Sequence, residues 1–197
     1  MIKVLYVTHY LRYNLLMPSL KSSIDQLSPI LQMTPGAIYE RQRALVRLGA
    51  LHAVPGKGPG SGVELSSETV ATLLIGCAAF MSLSNLDNRV TKYIRAPSSG
   101  KACRMTGART FREAIQGILE EKFSKSFRYP RDVQVCFNLQ APGGFIYWGM
   151  EFEFTQFVTW FGDKNTPGEQ PGLDFRSYVS HRILFPLRDL LITAGEP

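Results

Sequence analysis

The chain has 197 residues, 45% of them hydrophobic and 19% charged, with a formal net charge of +6 and a pI of about 9.3. These proportions exclude a disordered chain and leave room for a full hydrophobic core, in one domain or in a small domain joined to a second. The Lys and Arg excess lies in the first two thirds of the sequence and the last third is mildly acidic, which favours a polyanionic partner for the N-terminal part.

Val4, Val7, Leu11 and Leu15 recur at helical spacing until Pro18, so a first amphipathic helix is expected over 3–16. A short helix then carries Ile24, Leu27, Ile30 and Leu31, with Ser22 or Ser23 as its cap, and ends at Gln32-Met33. Thr34 supplies an N-cap oxygen and Pro35 suits the first helical position, where its missing N–H costs nothing, so a second helix starts there. It runs to Leu48 and stops at Gly49, a residue fitted to the left-handed position after a helix end. Residues 50–55 and 63–65 have strand character on either side of the Gly/Pro-rich run 56–62, which predicts a hairpin.

Ser66 or Ser67 caps a helix over 68–82 that is apolar on nearly every side and must be buried at a domain or subunit interface. The segment 85–108 holds Arg89, Lys92, Arg95, Lys101 and Arg104 against Asp87 alone and is expected to be a basic linker. Thr110 and Glu113 have capping-box spacing and open a helix with Phe111, Ala114, Ile115, Ile118 and Leu119 on one face. The period then becomes two: 133–139 and 146–154 alternate around the turn 141–144, predicting a long antiparallel hairpin with Trp148, Phe152 and Phe154 in its core. A last helix is expected from about Phe175, kinked or interrupted at Pro186.

Two short helices with a tight turn, followed by a hairpin, resemble the winged helix-turn-helix of bacterial transcription regulators such as the MarR family and of phage repressors; the resemblance covers 24–65, about a fifth of the chain. It implies double-stranded DNA as partner, a recognition helix over 35–48 and a wing over 55–63. At about 100° per residue, Ile38, Gln42 and Leu45 face the core, while Gly36, Glu40, Arg43 and Arg47 face outward with Tyr39 at their edge. Arg43 is then the candidate for base contact, and Arg41, Arg47 and Lys57 for phosphate contact, with Thr34 at the helix start and Arg89, Lys92 and Arg95 as further basic contacts.

Chemistry of other kinds finds little support. The glycine run lacks the Gly-Lys-Ser/Thr ending of a phosphate loop, and a strand follows it where such a loop needs a helix. His9, His52 and His181 share no ligand spacing with one another or with Cys77, Cys103 and Cys136, so no metal or cofactor is expected. Glu151 and Glu153 read as a solvated strand face, and no nucleophile-elbow motif occurs. The protein is therefore expected not to be an enzyme. Three scattered cysteines suit a reducing cytoplasm, and the longest apolar run falls short of the roughly 17–25 residues that span a bilayer.

The expected architecture is α+β: a winged helix-turn-helix over 1–84, the basic linker 85–108, and a smaller helix-plus-antiparallel-hairpin domain over 109–197 that dimerises or binds another protein. The expected function is site-specific regulation of transcription as a homodimer. Two rival readings are a phage or mobile-element DNA-packaging protein, such as a terminase small subunit, and a winged-helix module that inhibits a host enzyme.

Overall fold

Two short helices come first, α1 (Ile24–Leu31) and α2 (Pro35–Arg47), in a computed structural model that describes residues 18–53, 62–79, 86, 89–124, 130–139, 142–150, 153–162 and 176–195. The expected helix over 3–16, the hairpin tip with Lys57, and Glu151 and Phe152 lie outside the described residues. Ser23 occupies the N-cap of α1 without capping it: its hydroxyl donates backward to the Ser19 carbonyl at 3.2 Å. Thr34 does cap α2, its oxygen accepting from the Ala37 N–H at 3.3 Å, with Pro35 in the first turn. Gly49 takes φ +68° directly after α2, and the Ala50 N–H reverses onto the Leu45 carbonyl at 2.9 Å. That left-handed step is the conformation glycine adopts without a Cβ penalty.

The strand-like residues 63–65 pair with the chain just before α1. The Leu20 N–H donates to the Val63 carbonyl at 2.8 Å and the Leu65 N–H to the Pro18 carbonyl at 3.0 Å, with Ser19 opposite Glu64. Leu20, Val63 and Leu65 thereby enter the core beneath α1 and α2.

Helix α3 (Ser67–Ala78) follows, opened by a capping box between Ser66 and Thr69, and it is the centre of the molecule. Val70, Ala71, Thr72, Leu73, Leu74, Ile75 and Gly76 are all buried, a run that no single face of a helix accommodates. It packs on α2 on one side and on α5 (Phe111–Leu119) on the other, so one continuous apolar cluster runs from Leu20 to Leu191. Full burial of each large side chain there stabilises the fold by roughly 1.5–3 kcal/mol.

The segment expected as a linker contains a helix, α4 (Val90–Arg95), with Val90, Tyr93 and Ile94 buried, and beyond it Ala96, Cys103 and Met105 are buried too. The Tyr93 hydroxyl donates to the Asn138 carbonyl, and Arg89 Nη1 donates to the Leu139 carbonyl at 3.1 Å, fastening α4 to the end of a strand. Thr110 and Glu113 form the expected capping box at the start of α5.

Four antiparallel strands complete the architecture: β1 (Pro130–Asn138), β2 (Gly143–Met150), β3 (Glu153–Gly162) and β4 (Arg176–Ser180), in the order β3-β2-β1-β4. The molecule is therefore α+β, with six helices and a four-stranded sheet among the described residues. The expected second strand over 146–154 is corrected: β2 ends at Met150 and the chain reverses into β3 by Glu153, because Met150 and Glu153 pair with each other. The last helix is also corrected. Residues 176–180 pair with β1 as β4, and α6 begins at His181 and runs through Pro186 to Thr193 without interruption.

One sheet face is apolar and covered by helices. Val133, Val135, Phe137, Ile146, Trp148, Phe161 and Val179 are buried there, and the Phe111 ring of α5 lies 5.3 Å from both Phe137 and Phe161. The β1–β2 turn demands glycine: a Cβ at Gly144 would lie 1.9 Å from the Cys136 carbonyl oxygen and 2.9 Å from the Phe111 ring.

Candidate nucleic-acid interface

The outward face of α2 presents the residue types that read or hold nucleic acid. Ile38, Gln42, Ala44 and Leu45 are buried, whereas Gly36, Glu40, Arg43 and Arg47 are exposed and Tyr39 is half-buried, as the period of the helix requires. A Cβ at Gly36 would meet nothing within 4 Å, so packing does not call for glycine there. Its bare backbone beside the Thr34 cap leaves the first turn of α2 open to close approach.

Charge on this face is organised around one ring. The Arg43 guanidinium lies 5.9 Å from the Tyr39 centroid, and Lys21 Nζ lies 5.4 Å from the same ring, having arrived from the chain before α1. Arg43 Nη1 also bonds Glu40 Oε1 at 3.2 Å, with both side chains about half exposed. This ion pair is worth only a few tenths of a kcal/mol in water, about 0.3–0.5 for helical neighbours, so it orients the guanidinium and a stronger acceptor displaces it.

Lys21 was not a sequence candidate. No periodicity marks it, and only the return of the chain past Tyr39 brings it to α2. Arg41 is half-buried and turned toward α3, where burial pushes the Cys77 thiol up to about 12 and the Arg41 charge opposes that rise.

The other basic candidates lie elsewhere. Arg89 is half-buried, engaged with the Leu139 carbonyl and 5.9 Å over the Tyr93 ring. Lys92 and Arg95 are exposed on the opposite side of α4, where with Thr91, Pro97, Pro142 and Gly162 they line an open cleft of about 440 Å³. The structure thus gathers Gly36, Tyr39, Glu40, Arg43 and Arg47 on one helix face, places Lys92 and Arg95 at a second location, and assigns Arg89 to packing.

Among the described residues no helix is long and apolar enough to cross a membrane. Comparison with protein-family models, curated proteins and solved structures finds no match.

Proposed function

We propose that this protein is a winged helix-turn-helix regulator of transcription that binds double-stranded DNA site-specifically, as a homodimer in the cytoplasm. The observation that carries this reading is the exposed face of α2, where Arg43, Tyr39 and Lys21 converge on a helix held by a capped start and a glycine stop. The pairing of 63–65 with the chain before α1 supports it, since a short strand ahead of the helix pair is what anchors the returning strand of a wing. A helix of this shape enters the major groove, where Arg can bond guanine O6 and N7 together. Arg43 reads a base; Arg47 and Lys57 hold phosphates; Glu40 keeps the Arg43 fork aligned until the base replaces it.

The test is selection of retained duplexes from a random pool, followed by titration of selected and scrambled duplexes with Arg43→Ala at several salt concentrations. Loss of roughly 1–3 kcal/mol on the selected duplex, with preference flattened at one base position, is the expected result. An Arg43→Ala protein with unchanged affinity and preference overturns the reading. Light scattering on the complex separates a dimer from the ring of subunits that a packaging protein forms.

A further inference from the structure

The sheet has a second face. Residues whose Cα atoms are partners across the strands share a face, so the register aligns Trp160, Phe145, Cys136 and Tyr178 in one row and Val158, Tyr147, Gln134 and Ser180 in the next. Both rows lie opposite Trp148, Phe137 and Phe161, which the helices bury. Tyr178 is 58% exposed, Val158 41% and Trp160 38%, and the Phe145 and Trp160 rings lie 4.6 Å apart at 50°. Cys136, between Phe145 and Tyr178 in the first row, is fully buried, so the exposed rings lie on either side of it.

Charge adjoins the rows at one end. Gly162 follows Trp160 by two residues, about 7 Å along the strand, and lines the Lys92–Arg95 cleft. The Ser99 N–H donates to the Trp160 carbonyl at 2.9 Å, and Lys101, two residues further on, is exposed. From residue 88 to residue 112 the chain has seven Lys and Arg and no carboxylate side chain; Arg112 pairs with Glu68 at 2.6 Å and Arg89 holds the Leu139 carbonyl, while Lys92, Arg95 and Lys101 are exposed.

We propose that this outer sheet face binds single-stranded nucleic acid, with unpaired bases stacking on Trp160 and its neighbour Phe145 and the backbone phosphates entering the cleft of Lys92 and Arg95. Exposed aromatic rings offer every base a π-face and the cations track a polyanion, which is the pairing of features that holds single strands. A second copy of the chain fits less well, because the exposed Lys92, Arg95 and Lys101 would repel their symmetry mates beside the contact. The site is separate from α2 and does not rest on the duplex reading.

A fluorescein-labelled twelve-residue oligothymidylate tests this by anisotropy, with tryptophan fluorescence read in parallel. The full chain should bind it with quenching, and Trp160→Phe should keep the affinity while losing the quench, because Trp148 is buried. Trp160→Ala should weaken binding about tenfold or more, and Lys92→Ala/Arg95→Ala should lower the single-strand salt slope by about 1.4 units. Thermal melts verify that each variant is folded; if Trp160→Ala unfolds, Tyr178→Ala, at the far end of the same row, carries the comparison. Arg43→Ala should leave this binding intact, and a wild-type chain that selects no duplex but still binds the oligothymidylate removes the regulator reading and spares this one. Unchanged oligothymidylate affinity in folded Trp160→Ala overturns the proposal, as does a wild-type dimer in light scattering that Trp160→Ala converts to monomer.

Discussion

Gly76 of α3 faces Leu45 of α2 with no room between them: a Cβ built on Gly76 would lie 3.0 Å from Leu45 Cδ1 and 3.4 Å from Cδ2. The close approach seats α2 on the central helix. Gly76→Leu should therefore cost about 1–3 kcal/mol by overpacking and tilt α2 outward. Urea unfolding measures the cost. A folded variant with parental midpoint would show that α2 and α3 do not pack through this contact.

On the proposed duplex reading, Glu40 limits the attraction of α2 for DNA of any sequence. Replacing it by Gln removes the negative charge beside Arg43 and frees the guanidinium from its 3.2 Å ion pair. Affinity for selected and scrambled duplexes should rise together, because phosphate attraction is blind to sequence. Arg47→Ala should do the opposite and lower the duplex salt slope by about 0.9 unit. Both are read from titrations between low and moderate salt. Selective loss of the preferred duplex on Glu40→Gln would instead show that base readout depends on Glu40, through its alignment of Arg43 or by direct contact.

Tyr93 is completely buried and its hydroxyl donates to the Asn138 carbonyl. Tyr93→Phe keeps the ring and removes the donor, so it should cost about 1–3 kcal/mol, the penalty of leaving a buried carbonyl without that partner. Arg89→Ala should be additive with it to a lesser degree than two remote changes, since both bonds hold α4 to the end of β1. A double-mutant cycle by chemical denaturation measures the coupling. Zero coupling would separate the two latches.

Between α3 and α5 a polar cluster responds to acid. Ser67 Oγ donates to Glu120 Oε1 at 2.5 Å, Gln116 Nε2 donates to the same oxygen at 2.8 Å, and Lys122 pairs with the other oxygen at 2.6 Å. Burial alone would raise the Glu120 carboxyl, but Lys122, Ser67 and Gln116 outweigh it and hold the group below its ordinary value of 4.5. A carboxylate whose folded pKa lies below the unfolded one stabilises the fold fully above the unfolded value, and that contribution vanishes as pH falls through the folded one. Glu113, drawn down by the Arg109 and Thr110 amides against its own desolvation, adds in the same sense. Melting temperatures of the parent and Glu120→Gln should thus differ at pH 6 and draw together as pH falls below 4.5 and through the lowered folded value. Parallel curves over that range would remove Glu120 as the acid-sensitive group.

Helix starts and stops in this chain are written in local chemistry, and they were legible where a cap, a proline or a glycine marks them: Thr34-Pro35, Gly49, Ser66 and the Thr110/Glu113 pair. Ser23 looked the same in sequence but turns its hydroxyl back to Ser19, since the chain there is held by pairing with 63–65. Alternation misled at Met150–Glu153 because the reversal there contains no glycine, proline or asparagine, and even-numbered apolar residues continue across it. β4 was hidden for a different reason. Its partner, β1, lies some forty residues earlier, and five residues have too short a pattern to announce a strand. The outward set on α2 followed from its period, whereas Lys21 and the aromatic outer rows arise only when distant segments meet. Phe145 and Trp160 look no different in sequence from the buried Trp148 and Phe161.

Helix α3 also bears on how the molecule comes apart. Because its flanks are shared by α2 and α5, neither end of the chain can open without wetting the residues that hold the other. The α1–α2 pair should therefore show no separate melting transition, and the amides of Val70 to Gly76 should exchange with solvent only on global unfolding. Fraying is left to the rim, where Thr193 and Gly195 lie exposed after the last buried leucine, Leu191.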